Sequence, residues 1–139
     1  MSAAALYTPE VLALATGLAE YGWDDALPFQ GAARSRSCGS AITLGLATDA
    51  DGRISDVAIR SQACAIGQAA AAIFADGARG RDAADIRAAH AALSSWLSDS
   101  GEMPDWPGLA VIARAQEYPG RHAAILLAWQ AASEILPMP

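Results

Sequence analysis

Ala41-Ile42-Thr43-Leu44-Gly45-Leu46-Ala47-Thr48 places Ile42, Leu44 and Leu46 on one face of an extended chain, and Val57 and Ile59 alternate again after Asp49-Ala50-Asp51-Gly52. Side chains of a strand point alternately to opposite faces, and an Asp/Gly-rich interval between two such runs is turn chemistry. The stretch therefore predicts an antiparallel hairpin with one buried face. Ile54 falls out of phase with Val57 and Ile59, which predicts a bulge or a late strand start near Ser55-Asp56.

The return strand runs into Ala63-Cys64-Ala65-Ile66-Gly67, and from Ala65 to Ala78 the spacing changes to that of a helix, with Ile66, Ala69, Ala70, Ile73 and Gly77 on one face. Such small residues let another backbone approach closely. Upstream, Thr8-Pro9-Glu10 supplies a cap and a first-turn proline for a helix ending near Tyr21-Gly22. Trp23 to Arg36, with Pro28 and Gly31, reads as a loop carrying an edge strand near its end.

Downstream, a helix begins at Arg81-Asp82 with Ile86, Ala89, Leu93 and Leu97 on its inner stripe, followed by a proline-containing loop from Gly101 to Gly108. Leu109 to Ala115 predicts a short helix. Tyr118-Pro119-Gly120 breaks it, and Pro119 opens a last helix to about Leu136. The order is an α+β pattern, a small antiparallel sheet packed against several helices, and 1–139 is expected to form a single domain.

A chain of 139 residues with 53% apolar composition, much of it alanine, can bury a core without disulfides or structural metal. The net charge is −6, and all nine basic residues are arginine. An acidic chain of this kind is a poor partner for nucleic acid, whose affinity comes largely from phosphate neutralisation. No apolar run is long enough to span a membrane, and Met1-Ser2-Ala3-Ala4-Ala5 lacks the charged start of a secretion signal. The expected compartment is cytoplasmic, where free, catalytic or metal-bound cysteines outnumber disulfides.

The chain has only two cysteines. Cys64 stands where strand gives way to helix, a setting whose unpaired N–H groups favour a thiolate; the plainer reading is a small hydrophobe filling space. Cys38 precedes Gly39 and follows Arg34 and Arg36, cations that also favour a thiolate. Their spacing is not that of a CxxC zinc knuckle. His122, in Pro119-Gly120-Arg121-His122, is either a ligand or a packed histidine, and His90 reads as a solvated helix residue. Nucleophile elbow, phosphate loop and HExxH are all absent.

Ser37-Cys38-Gly39-Ser40 leading into Ile42-Thr43-Leu44, Ile59 to Gly67 with Cys64, and Tyr118-Pro119-Gly120-Arg121 before Leu127-Ala128-Trp129 resemble three segments of the iron–sulfur cluster assembly scaffolds of the IscU, SufU and NifU amino-terminal type, the SufU branch above all. In that family three cysteines and an aspartate hold zinc or a nascent cluster and accept sulfur from a cysteine desulfurase. The resemblance implies that Cys38 and Cys64 bind iron, zinc or a labile cluster, that His122 could add a donor, and that Ser40 and Arg121 support the site. It also implies Fe–S acceptor proteins as further partners.

Ser40 stands where the family has aspartate, and Ala124 falls where it has its third cysteine. Serine is a weak ligand beside a carboxylate and alanine is none. His122 does not simply replace position 124, because two residues on a helix point about 200° apart. The leading expectation is a non-enzymatic scaffold. Alternatives are a scaffold-fold interaction or regulatory module without cluster assembly and, last, an enzyme using Cys64 as nucleophile with His122 as base.

Overall fold

Thr8 accepts a hydrogen bond from the backbone N–H of Val11 at 3.2 Å, and Pro9 occupies the first helical position, so α1 (Pro9–Gly17) begins where the sequence predicts. A 3₁₀ turn (Leu18–Tyr21) extends it. The structure is a computed structural model whose described residues are 6–36 and 39–137. Ser37 and Cys38 lie outside them.

Three strands follow: β1 (Phe29–Arg34), β2 (Ala41–Thr48) and β3 (Ile54–Gln62), forming an antiparallel sheet in the order β1-β2-β3. The edge strand expected before Arg36 is β1. Leu44 pairs with Gly31 on one side and Ile59 on the other. Ala47 faces Asp56 whereas Thr48 faces Ile54, so Ser55 is the extra residue of a bulge. The bulge lets Ile54 join the buried set despite its phase; it is 2% exposed.

The inner face of the sheet, with Ile42, Leu44, Leu46, Val57 and Ile59, packs under the helices. The helix α2 (Ala65–Ala78) is buried along nearly its whole length because its alanines and Gly67 admit neighbours on every side. Gly31 in β1 gives room to Ile135, so the end of the last helix lies directly on the sheet.

Asp82 caps α3 (Ala83–Leu97) in a reciprocal capping box with Asp85. Ile86, Leu93 and Leu97 are buried as the periodicity predicts, and Trp96 joins them. His90 is half-buried rather than solvated, because α3 turns that side toward the final helix. Beyond the loop, Leu109–Glu117 is 3₁₀ rather than α-helical, with a break at Ile112 (φ −106°, ψ 20°). A second 3₁₀ turn (Pro119–Arg121) leads into α4 (His122–Ile135).

Trp106, in the loop between α3 and the 3₁₀ segment, is buried deepest of all the loop's residues. Its Nε1 donates to the Ile73 carbonyl at 2.9 Å, and its ring stacks on Phe74 and meets Trp129 edge-on, with centroids 5.8 and 5.3 Å away. Arg81 covers the same indole, its guanidinium carbon 3.9 Å from the ring centroid. Gly77 makes the approach possible, since a Cβ there would sit 2.5 Å from the indole nitrogen.

Candidate functional site

The sheet register fixes which ends of the strands flank Ser40 and Cys64. Ala41 pairs with Arg34 in β1 and with Gln62 in β3. The loop joining β1 to β2 and the passage from β3 into α2 therefore occupy the same end of the sheet. Ser40 comes one residue before that pairing, and Cys64 two residues after it.

Cys64 is the N-cap of α2, extended at φ −63° and ψ 167°, and its thiol makes no capping hydrogen bond. A serine or aspartate here would spend its side chain on the helix; the cysteine leaves its sulfur available. The side chain is half-buried against the core. Gln68 fastens the backbone on both sides of it, with its N–H donating to the Cys64 carbonyl at 3.0 Å and its Nε2 to the Ala63 carbonyl at 2.9 Å.

The loop before β2 closes on itself where the Ser35 N–H donates to the Ser40 carbonyl at 2.8 Å. Ser35 and Ser40 are both 3% exposed, so the two ends of the loop are buried while Gly39 is exposed. Gly39 has φ +71° and open space where a Cβ would be. Its glycine answers to backbone conformation, not to crowding. Cys38, expected beside it, lies outside the described residues.

The first turn of α4 completes this end of the molecule. Ala124 is 3% exposed, and its Cβ lies 3.4 Å from where a Cβ on Gly67 would be, in the first turn of α2. Position 124 thus packs one helical turn from Cys64. The contact involves the small-residue run after Cys64, and it falls at the position that the resemblance aligns with the family's third cysteine.

His122 is the first residue of α4 and half-buried, with its ring turned to the preceding 3₁₀ segment. Its Nε2 lies 3.1 Å from the Ala115 carbonyl and 3.0 Å from the Gln116 carbonyl. Carbonyls only accept, so Nε2 carries the proton and donates to them, leaving Nδ1 as the free lone pair. Arg121, half-buried, holds the N-cap position just before it. Among the described residues no three His, Cys, Asp or Glu side chains are grouped so as to hold a metal ion.

Among the described residues the site consists of a half-buried thiol that makes no capping hydrogen bond, Ser40 at the same end of the sheet, and a small-residue wall at Gly67 and Ala124. Neither cation nor carboxylate crowds the thiol among the contacts described. A cysteine sulfur is a soft donor and, as thiolate, a nucleophile.

Residues 7–105 match the family model described as the NifU-like N-terminal domain. The matched span contains Cys38, Ser40 and Cys64 and stops short of His122 and Ala124. No curated protein matches the chain significantly. Among solved structures, a nitrogen-fixing NifU-like protein (N-terminal) from Brucella abortus is 28% identical, with a TM-score of 0.84, 94% of this chain and 91% of that one covered. A putative iron–sulfur cluster assembly scaffold protein for the SUF system from Fervidobacterium islandicum shares the fold at a TM-score of 0.85, 19% identical, covering 98% of this chain and 100% of that one. With a matching family model over most of its length and the same α+β architecture, the chain belongs to the NifU-like N-terminal domain family.

Proposed function

We propose that this chain is an iron–sulfur cluster assembly scaffold-like protein, with Cys38 and Cys64 as the residues that receive sulfur and hold iron, zinc or a labile cluster as cargo. The observation that carries the reading is the pairing of Ala41 with both Arg34 and Gln62, which brings Ser40 and Cys64 to one end of the sheet. Membership of the NifU-like family supports it. So does the Brucella relative's likeness over nearly the whole chain.

The donor set fits a transient cargo better than a resident ion. Two thiolates leave a tetrahedral metal short of ligands, and the His122 ring already gives its Nε2 proton to backbone carbonyls. That arrangement still resembles one in which a histidine is oriented by a carbonyl on one nitrogen and binds through the other. Ser40 and Arg121 are assigned the supporting role. A partner ligand completes the coordination, and a cluster so held leaves readily for an Fe–S acceptor protein.

Sulfur uptake needs only the thiolate and a persulfide donor such as a cysteine desulfurase. The thiolate attacks the outer sulfur of the donor's persulfide, a new S–S bond forms, the donor's own S–S bond breaks, and the donor leaves as thiolate. No further oxidant is required. The role so proposed is that of a carrier, with the His122 ring given over to backbone carbonyls.

The test is mass spectrometry of the full chain after incubation with a cysteine desulfurase and free cysteine, under anaerobic conditions. The reading predicts a gain of sulfur that is lost on reduction and falls in Cys38→Ala and Cys64→Ala. Sulfur uptake unchanged in the double variant contradicts it.

A further inference from the structure

The face of the sheet turned away from the helices is open at one end, and its floor there is made of small residues. Ala32, Thr43 and Arg60 form one cross-strand row, and Arg34, Ala41 and Gln62 the next. Together they line a shallow groove of about 310 Å³. The chain has 15 acidic residues against nine arginines, yet two of those arginines line this groove and no carboxylate does.

Arg34 is exposed and, among the described residues, its side chain makes no hydrogen bond or ion pair. Arg60 is held in a defined direction: its guanidinium carbon lies 4.9 Å from the centroid of the Trp23 ring. The indole is anchored in turn by its Nε1 donating to Asp25 and by lying over Gly45, the next row along the sheet. Stacking uses the flat face of a guanidinium and leaves its N–H edge for a carboxylate. An exposed Arg34 and an Arg60 held over Trp23, both on the sheet face away from the core, are unexplained by folding.

Sheet geometry sets the two arginines on the strands either side of β2 and two residues apart in register, with Cα atoms about 12 Å from each other. Trp23 draws Arg60 further from Arg34. That separation suits two carboxylates on one extended segment better than a single small anion. It is also too little positive charge to overcome repulsion of a nucleic acid by a chain of net charge −6.

We propose that this groove docks an acidic, extended segment of a partner protein, with carboxylates pairing to Arg34 and Arg60. Gln62, at the groove's end, lies two residues before Cys64, so a segment bound here approaches the cysteine end of the sheet. Docking is a property of the sheet face and stands or falls independently of the cargo chemistry.

The experiment is an NMR titration of the isotope-labelled full chain with a short synthetic peptide of alternating glutamate and glycine, whose carboxylates share one face when extended. Amide signals of Ala32, Arg34, Thr43 and Arg60 should shift, and added salt should weaken binding. Arg34→Gln with Arg60→Gln should lower affinity about tenfold or more, while Arg87→Gln, the same charge change as Arg34→Gln alone but on an exposed part of α3, should not lower it. Arg34→Gln alone, at an exposed and unpaired position, reports the effect even if the Arg60 variant folds poorly. Shifts centred elsewhere, unchanged affinity in Arg34→Gln, or inorganic phosphate binding as tightly as the peptide would overturn the proposal.

Discussion

At the scale of single residues, the decisive feature is a cysteine placed where a capping residue belongs and yet not capping. Cys64 leaves the α2 N-terminus without a side-chain acceptor, a cost the protein bears at a position where serine or aspartate would stabilise the helix by about 1 kcal/mol. A thiol kept against that cost is consistent with the proposed role in sulfur or metal binding. The neighbouring small residues extend the argument: Ala124 packs beside the first turn of α2, where a thiol would face the same end of the sheet. Ala124→Cys is therefore expected to increase iron retained after anaerobic reconstitution relative to the parent chain, measured by elemental analysis; equal retention would show that position 124 does not face the cargo.

Among elements, the coupling of α2 to the rest depends on close approaches that glycine permits. Gly77→Ala puts a Cβ 2.5 Å from the Trp106 nitrogen and must displace the indole from its bond to the Ile73 carbonyl. Overpacking of this kind costs about 2 kcal/mol, so thermal unfolding of the variant should begin several degrees lower, with the cysteines still reactive. The α3–α4 contact contributes a pH dependence of its own. Burial holds His90 below its ordinary value of 6.5, while Glu134 opposes the shift.

Because the folded chain then binds the His90 proton less readily than the unfolded chain, stability is kept above pH 6.5 and lost as pH falls through it toward the lower folded value. His90→Gln should flatten that part of the profile of urea midpoint against pH. A profile identical to the parent's would remove His90 from the account. The half-burial behind this behaviour was not legible in Ala88-Ala89-His90-Ala91-Ala92, since alanine on both sides gives no sign of which face meets another helix.

Across the whole molecule, the elements with strong local signals follow the sequence closely: the hairpin, its bulge, and α2, whose bounds coincide with the predicted run. What the sequence withheld are relations between distant segments. Trp106 sits in a proline-flanked loop and gives no hint of a partner at Ile73, 33 positions earlier. Leu109–Glu117 has helical spacing but adopts 3₁₀ geometry, and the His122 ring finds its carbonyls there. Arg34 and Arg36 read as neighbours of Cys38 in sequence, whereas the sheet pairs Arg34 across β2 with Arg60's face.

The return of β3 to the end of the sheet that carries Ser40 was legible in the hairpin pattern, and it sets Cys64 at that end. The central claim is that Cys38 and Cys64 act together at that end of the sheet. Its most direct test is the iron and sulfide content of the full chain after anaerobic reconstitution with ferrous iron and sulfide, set beside Cys38→Ala, Cys64→Ala and the double variant. The account predicts bound iron in the parent, a large loss in either single variant and no further loss in the double. Iron content equal in all four proteins would contradict it.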